Sequence, residues 1–329
     1  MESPFSGKRV LVTGGLGFIG SNVARALVDR GAHVTILDSM IPGCGGNPFN
    51  IQDIRDKVEV IQADLRQSEV TGHAVGGKEY IFNLAGQISH IDSMNDPQTD
   101  MELNVRSHLS LLEACRLRNR SAKIVYASTR QVYGRLQYLP ADELHPLNPT
   151  DINGVDKLAA ERYHGIYDKV HGIRSCSLRL TNTYGPGQLM KHNRQGFIGW
   201  FIRQIVLGEE ISIYGDGTQV RDFNYVDDVV DAMLLVAERP EANGEVFNLG
   251  GSQAIRLLDL VDLMMRVAGK GSYKVVPFPE GSKKIDIGNA TSDYSKIAKT
   301  LGWKPKTSLE VGLERTFAYY SKVIDQYLP

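Results

Sequence analysis

Apolar positions in the first half of the chain follow two alternating rhythms. Short runs rich in β-branched residues, "KRVLVTG", "HVTILD", "VEVIQAD", "EYIFNLAG" and "AKIVYAS", end mostly at Gly, Asp or Ser and read as buried strands. Between them lie segments of helical period, such as "FIGSNVARALVDRG" and "MELNVRSHLSLLEACRLR"; in the second, Leu103, Leu109, Leu111 and Leu112 fall mainly on one side. Strand–helix alternation of this kind predicts an α/β fold, a doubly wound parallel sheet covered on both faces. A further helix, "VDKLAAERYHGIYDKVHG", and strand, "SCSLRL", continue the pattern. After about residue 185 short strands, Gly-rich turns and helices mix. The expected division is a first domain over 1–185 and a smaller C-terminal α/β substrate lobe over 186–329, with segments near 223–250 returning to the first domain.

Composition narrows the function classes. The chain has 329 residues, 42% hydrophobic and 23% charged, which is ordinary for a soluble globular protein with a real core. A formal net charge of -1 without a long basic run argues against a general nucleic-acid or membrane-surface binder. Cys44, Cys115 and Cys176 lack metal-ligand spacing, so no metal site is expected. Sparse, odd cysteines and the absence of an apolar leader in "MESPFSGKRV" read as a reducing, cytoplasmic setting. No apolar run reaches the length of a bilayer span.

The stretch "TGGLGFIG", Thr13 to Gly20, joins the first strand to the first helix. Gly15, Gly17 and Gly20 satisfy one dinucleotide spacing; Gly14, Gly17 and Gly20 satisfy another. Glycine is needed because a pyrophosphate must approach backbone N–H groups at a helix N-terminus, where a Cβ would intrude. The context is that of a Rossmann dinucleotide site. Asp38 ends the second strand, where a carboxylate accepts from ribose hydroxyls and repels a 2′-phosphate, favouring NAD over NADP. Asp64 reads as an adenine-side contact or as a plain strand-end cap. Phe18, Ile19, Leu65 and Leu84 are further candidate cofactor contacts.

With these residues in place, the chain resembles the extended short-chain dehydrogenase/reductase family, specifically its nucleotide-sugar epimerases and dehydratases. The resemblance runs through "VTGGLGFIGSN", "QADLR", "FNLAGQ", "NVRSHLSLLEACR", "STRQVYG", "KLAAE", "RLTNTYGPGQ", "IYGDGTQVRDFNYVDDVVDA", "VFNLGG" and "LGWKPKTSLEVGL", nearly the whole length. It implies a nucleoside-diphosphate sugar bound between two lobes, tightly held NAD and transient oxidation of a sugar hydroxyl. By resemblance, Thr129 meets the reacting hydroxyl and Lys157 holds the nicotinamide ribose. Asn104 lies near the site, and Asn182 and Arg221 hold the substrate pyrophosphate. A planar guanidinium suits phosphate; taken singly, Arg221 reads equally as a surface ion pair.

The chain departs from that pattern at the chemistry. Where a tyrosine is expected four residues before the lysine, "NGVDK" supplies Asn153. An amide has no useful basic form. Arg130 and Gln131 stand where 4,6-dehydratases carry Asp and Glu. "AGQISHIDSMNDPQTDMELN" is closer to some 2-epimerase relatives than to the common 4-epimerases. Lys157 itself, with a pKa lowered by desolvation, or His90, on the loop after the fourth strand, are substitute bases. His90 also reads as a loop histidine bonded to backbone, and Tyr133 reads as core packing. Asp156, about 100° around the helix from Lys157, is a poor candidate.

The leading expectation is an NAD-dependent nucleotide-sugar epimerase with an atypical active site. The alternatives are a catalytically silent NAD- and nucleotide-sugar-binding protein, or a sugar dehydrogenase or dehydratase of the same fold. The helices at "MELNVRSHLSLLEACR" and "DKLAAERYHGIYDKV" carry more apolar surface than one sheet face needs, so a homodimer is expected.

Overall fold

Residues 3–278 and 286–328 are described by the structure, a computed structural model. Seven strands form the central sheet. They are β1 (Arg9–Thr13), β2 (His33–Asp38), β3 (Val58–Gln62), β4 (Tyr80–Asn83), β5 (Lys123–Thr129), β6 (Ser175–Leu180) and β10 (Val246–Leu249). Their order is β10-β6-β5-β4-β1-β2-β3, and every neighbouring pair is parallel. Helices cover both faces, as a parallel sheet requires.

The two-residue period of the strands sorts side chains between two cores. Val10, Val12, Val34, Ile36, Phe82 and Val125 join one buried cluster, with Val23 and Leu27 of α1 (Phe18–Asp29) and Val229 and Met233 of α8 (Val226–Glu238). Leu11, Leu37, Ile81 and Ile124 join the other. There they meet Ala74 of α2 (Ser68–Ala74), Leu111, Leu112 and Cys115 of α5 (Ser107–Arg118) and Tyr167 of α6 (Ile152–His171). Two short helices, α3 (His90–Asn95) and α4 (Pro97–Met101), follow β4. Five residues in π-helical winding, Glu102–Arg106, lead into α5.

The second half contributes to both lobes. β7 (Asn182–Tyr184), β9 (Val220–Tyr225) and β11 (Ala254–Arg256) form a small sheet, and β8 (Ile211–Tyr214) pairs with β12 (Tyr273–Val276). α7 (Phe197–Leu207), α9 (Leu257–Ala268), α10 (Ser295–Leu301) and α11 (Leu309–Val323) complete the described helices. Between those pieces, α8 packs on the large sheet and β10 extends it beside β6. The strand order reverses between β1 and β4, and a crevice opens at their carboxyl ends, the usual ligand position in such sheets. Among the described residues no helix is long and apolar enough to cross a membrane.

Candidate functional site

One cavity runs along the carboxyl ends of β2, β1, β4 and β5 and collects most of the sequence-predicted residues. Gly14, Gly17, Phe18, Ile19, Gly20, Asp38, Asp64, Leu65 and Leu84 line one half; His90, Thr129, Asn153, Lys157 and Asn182 line the other.

The glycine turn shows why only glycine fits. Gly14 has φ +66, and a Cβ there would stand 2.9 Å from Ala85 backbone atoms in the loop after β4. A Cβ on Gly20 would run into the Gly14 carbonyl oxygen. Gly14, Gly17 and Gly20 line the cavity; Gly15 does not, and a Cβ there would meet Ile36 Cγ2 at 2.6 Å. α1 begins at Phe18 without a side-chain cap, so its first N–H groups and its dipole are free for an anion. Asp38 accepts from Leu16 N at 3.0 Å and Met40 N at 2.9 Å, one bond per oxygen, which leaves each oxygen capacity for a ribose hydroxyl. Burial raises its pKa against those two bonds. Asp64 is on the cavity wall, but its carboxylate is held by Arg66, with Nη2 to Oδ2 at 2.7 Å. These residues fit a dinucleotide: glycine backbone for phosphates, a strand-end acid for ribose and apolar walls at Leu65 and Leu84.

The reacting half is set by the cap of α6. Asp151 Oδ1 accepts from Gly154 N at 2.7 Å and fixes the helix start, so Asn153 and Lys157, one turn apart, both reach the cavity. Burial pushes the Lys157 amine down to about 8. The Asn153 amide is oriented by acceptors behind it: Nδ2 donates to Gln87 O at 2.9 Å and to Asp100 Oδ1 at 3.2 Å. The carbonyl end of Asn153 is therefore the end offered to the cavity.

Asp100, 1% exposed, is a hub that the sequence reading missed. It accepts from Asn104 Nδ2 at 3.1 Å as well as from Asn153. It also neighbours Asp156, whose pKa rises because burial and the second carboxylate both oppose its charge. Asp156 is absent from the cavity wall, as its helix position implied. Asn104 is off the wall too. It sits behind Gly86, where a Cβ would be 2.6 Å from Asn104 Oδ1 and 2.7 Å from Lys157 Nζ. The only local signal for Asp100 was its spacing, one helical turn before Asn104.

Two placements differ from the sequence expectation. His90 is the first residue of α3 rather than a loop residue, and its ring is held by side chains, not by backbone. Nδ1 stands 3.1 Å from Asp151 Oδ2, and Nε2 stands 2.9 Å from Gln131 Nε2. If Nδ1 carries the proton toward Asp151, the Nε2 lone pair accepts from Gln131 and faces the cavity side. Burial opposes charge on Asp151, but the His90 contact and the Gly154 N–H bond together outweigh it, so this carboxyl lies below its ordinary range. Arg221 is not on the cavity wall. Its guanidinium donates to Val220 O at 3.0 Å and to Gly288 O, and stands 3.7 Å from Asp286. The backbone carbonyls around β9 hold it there, and Arg130, which sequence reasoning had noted only as a departure, is the guanidinium that lines the cavity. Tyr133 is in the core: its hydroxyl donates to Asn248 Oδ1 and accepts from Arg179 Nη1, both at 2.7 Å. Among the described residues no group of three His, Cys, Asp or Glu is arranged to hold a metal.

Comparison with known proteins agrees with this geometry. The model of the NAD dependent epimerase/dehydratase family matches residues 10–250. A putative UDP-glucose 4-epimerase of Methanocaldococcus jannaschii is 33% identical over 93% of this chain and 96% of its own length. The UDP-glucose 4-epimerase of Thermotoga maritima, solved with UDP-glucose, superposes with a TM-score of 0.86 at 32% identity, covering 96% of this chain and 99% of that one. The Thermus thermophilus UDP-glucose 4-epimerase, solved with NAD, has a TM-score of 0.85 at 30% identity, covering 96% and 99%.

Proposed function

The chain belongs to the NAD dependent epimerase/dehydratase family, and from that premise we propose that it is a nucleotide-sugar epimerase acting by transient oxidation of a sugar hydroxyl. Its cofactor is NAD, which when bound accepts a hydride from the sugar and returns it. The observation that carries the reading is that Thr129, Asn153 and Lys157 line the same cavity as the glycine turn and Asp38.

Each residue has a definite task. Thr129 Oγ1 accepts from Gln131 N at 3.2 Å, which leaves its O–H to bond the reacting sugar oxygen. The Asn153 carbonyl oxygen accepts from the sugar hydroxyl and orients it, but an amide does not keep a proton. Lys157, with a pKa of about 8, is neutral in part at neutral pH and takes that proton as the C–H hydride leaves. When the hydride returns to the opposite face of the keto carbon, the Lys157 ammonium gives the proton back to oxygen. The His90–Asp151 pair supports a second reading, in which His90 Nε2 is the base after substrate displaces Gln131. Arg130 and Gln131 leave no carboxylate pair beside Thr129 for removing water, which weighs against a dehydratase.

The test is to incubate the NAD-loaded protein with UDP-, dTDP-, CDP- and GDP-hexoses and follow the sugar by NMR. Interconversion of two epimers without net NADH formation is expected. Stoichiometric NADH with a keto sugar would instead make it a dehydrogenase, and binding without any turnover a silent binder.

Two further outcomes follow from this reading. Asp38 is placed to accept from a ribose hydroxyl and to repel a 2′-phosphate, so NAD should bind the apo-protein at least about ten-fold tighter than NADP. Equal affinities in a fluorescence titration would remove Asp38 from that role. The chain is also proposed to be a homodimer. Val155, Ile166 and Val170 of α6 and Leu117 of α5 are exposed apolar residues on neighbouring helices, an arrangement suited to packing against a second copy. Light scattering at micromolar concentration should give the dimer mass; a monomer mass would contradict this.

A further inference from the structure

Two asparagines share one carboxylate behind the reacting half of the cavity. Asp100 of α4 accepts from Asn104 Nδ2 at 3.1 Å through Oδ2 and from Asn153 Nδ2 at 3.2 Å through Oδ1. An amide whose NH2 is held in this way presents its oxygen on the other side. Asn104 Oδ1 is buried and has no hydrogen-bond partner among the described residues. A Cβ on Gly86 would stand 2.6 Å from that oxygen and 2.7 Å from Lys157 Nζ, so the two atoms face each other across the glycine. A buried acceptor without a donor is costly. An ammonium at Lys157 brings one N–H more than the neutral amine, and Asn104 Oδ1 is placed to accept it.

The charges around the amine single out the same carboxylate. Asp100 of α4, Asp156 and His164 of α6, His108 of α5 and Tyr126 of β5 surround Lys157, with the Tyr126 ring 5.9 Å from Nζ. Burial holds His108 well below its ordinary range, His164 down to about 4 and Tyr126 well above its own, so none of the three is charged at neutral pH. Burial, and after it Asp100, pushes Asp156 up to about 7, and its Oδ2 is buried without a partner. Nearby charges on α6 are paired with each other, His90 with Asp151 and Arg179 with Glu161. Burial drives the Lys157 amine toward its neutral form, and Asp100, ahead of Asp156, opposes that drive.

We propose that Asp100 is a positioning residue for the proton transfer: directly and through Asn104, it supplies the negative charge against which the Lys157 amine takes up its proton. The inference rests on the reading of Lys157 as the proton acceptor and adds the group that makes its protonated form tolerable in a buried site. As the sugar O–H gives its proton to the Lys157 lone pair and the C–H bond gives its electron pair to the cofactor as hydride, Asp100 itself gains and loses no proton. The same carboxylate fixes Asn153, so one residue prepares both the amine and the amide that stand where a phenol is expected.

The Lys157 side chain reports the effect. NAD-loaded protein labelled with carbon-13 at lysine Cε is titrated by NMR, and the Lys157 signal is the one missing from Lys157→Arg. Asp156→Asn is the reference, because in Asp100→Asn alone an Asp156 freed of its neighbour would restore the charge. Adding Asp100→Asn to that reference should lower the Lys157 midpoint by about one pH unit or more, since the amine loses the charge that favours its ammonium form. The pH at which hydride transfer levels off, read by NADH absorbance, should fall with it; a purely structural role would lower the rate without moving that pH. NAD binding reports folding. If the double variant fails that check, Asn104→Leu decides: it keeps both acids, removes the amide facing the amine, and should lower the midpoint by about half a unit or more. A smaller shift than these, or none, overturns the inference and leaves Lys157 as the base. A midpoint that moves by NMR while the pH profile of hydride transfer stays put removes Lys157 as the base, and the inference falls with that reading. No hydride transfer from any of the UDP-, dTDP-, CDP- and GDP-hexoses sinks both.

Discussion

Lys157→Ala is expected to lower single-turnover hydride transfer by about 10³-fold or more, the usual scale for losing a positioned proton acceptor together with a cofactor contact. The residue is 5% exposed, its amine is at the cavity beside Asn153, and no phenol shares the task. The sign of the pH effect is fixed by its role. A base must be neutral, and burial sets the Lys157 pKa near 8, so the wild-type rate should rise with pH and level off above about 8. Stopped-flow NADH absorbance at saturating NAD and nucleotide sugar measures both. His90→Gln separates the two candidate bases: a small effect leaves Lys157 as the acceptor. A collapse of rate in His90→Gln, with Lys157→Ala near wild type, would transfer the role to the His90–Asp151 pair. Native turnover in both Lys157→Ala and Thr129→Val would remove the oxidation mechanism altogether.

Glu161→Ala should cost about 3–5 kcal/mol of folding stability, the scale for stripping one partner from a buried ion pair. Glu161 and Arg179 are each 3% exposed. Arg179 donates to Glu161 through Nη2 to Oε1 at 2.6 Å and Nε to Oε2 at 3.0 Å, and Ser128 Oγ adds a third bond to Oε2 at 2.7 Å. These contacts tie α6, which carries Asn153 and Lys157, to β6 and to the end of β5, which carries Thr129. Among the described residues, alanine would leave a buried guanidinium with only the Tyr133 hydroxyl as a hydrogen-bond partner, at 2.7 Å from Nη1. Urea denaturation reads the loss directly. A change below about 1 kcal/mol would mean that the site is held by helix packing and not by this pair.

The cofactor half of the site was legible in the sequence because its determinants are local. The β-branched runs from "KRVLVTG" to "SCSLRL" became six of the seven strands of the central sheet, and the alternation of a strand placed Val10 and Val12 in one core and Leu11 in the other. The glycine turn and Asp38 end successive β-elements of a parallel sheet, so connectivity alone brings them to the same edge. Asn153 and Lys157 were likewise paired by one turn of helix. What sequence left open was which of two glycine sets works. The fold puts Gly14, Gly17 and Gly20 on the cavity wall and packs Gly14 against the loop after β4, a contact between residues some seventy positions apart.

The reacting half was settled only in three dimensions, because there each group's behaviour depends on partners remote in the chain. Asn153 offers its carbonyl end because Gln87 and Asp100, from other elements, hold its NH2. His90 belongs to the site as half of a pair with Asp151, not as a backbone-bound loop residue. Arg221 kept its place in a familiar motif yet turned to the carbonyls of Val220 and Gly288, while Arg130 took the cavity wall. Periodicity and turn chemistry act over a few residues, so the sequence by itself determined the sheet and the glycine turn. The charge balance and hydrogen-bond partners of buried polar groups are set by whichever distant segments pack around them, and the tertiary structure alone decided those.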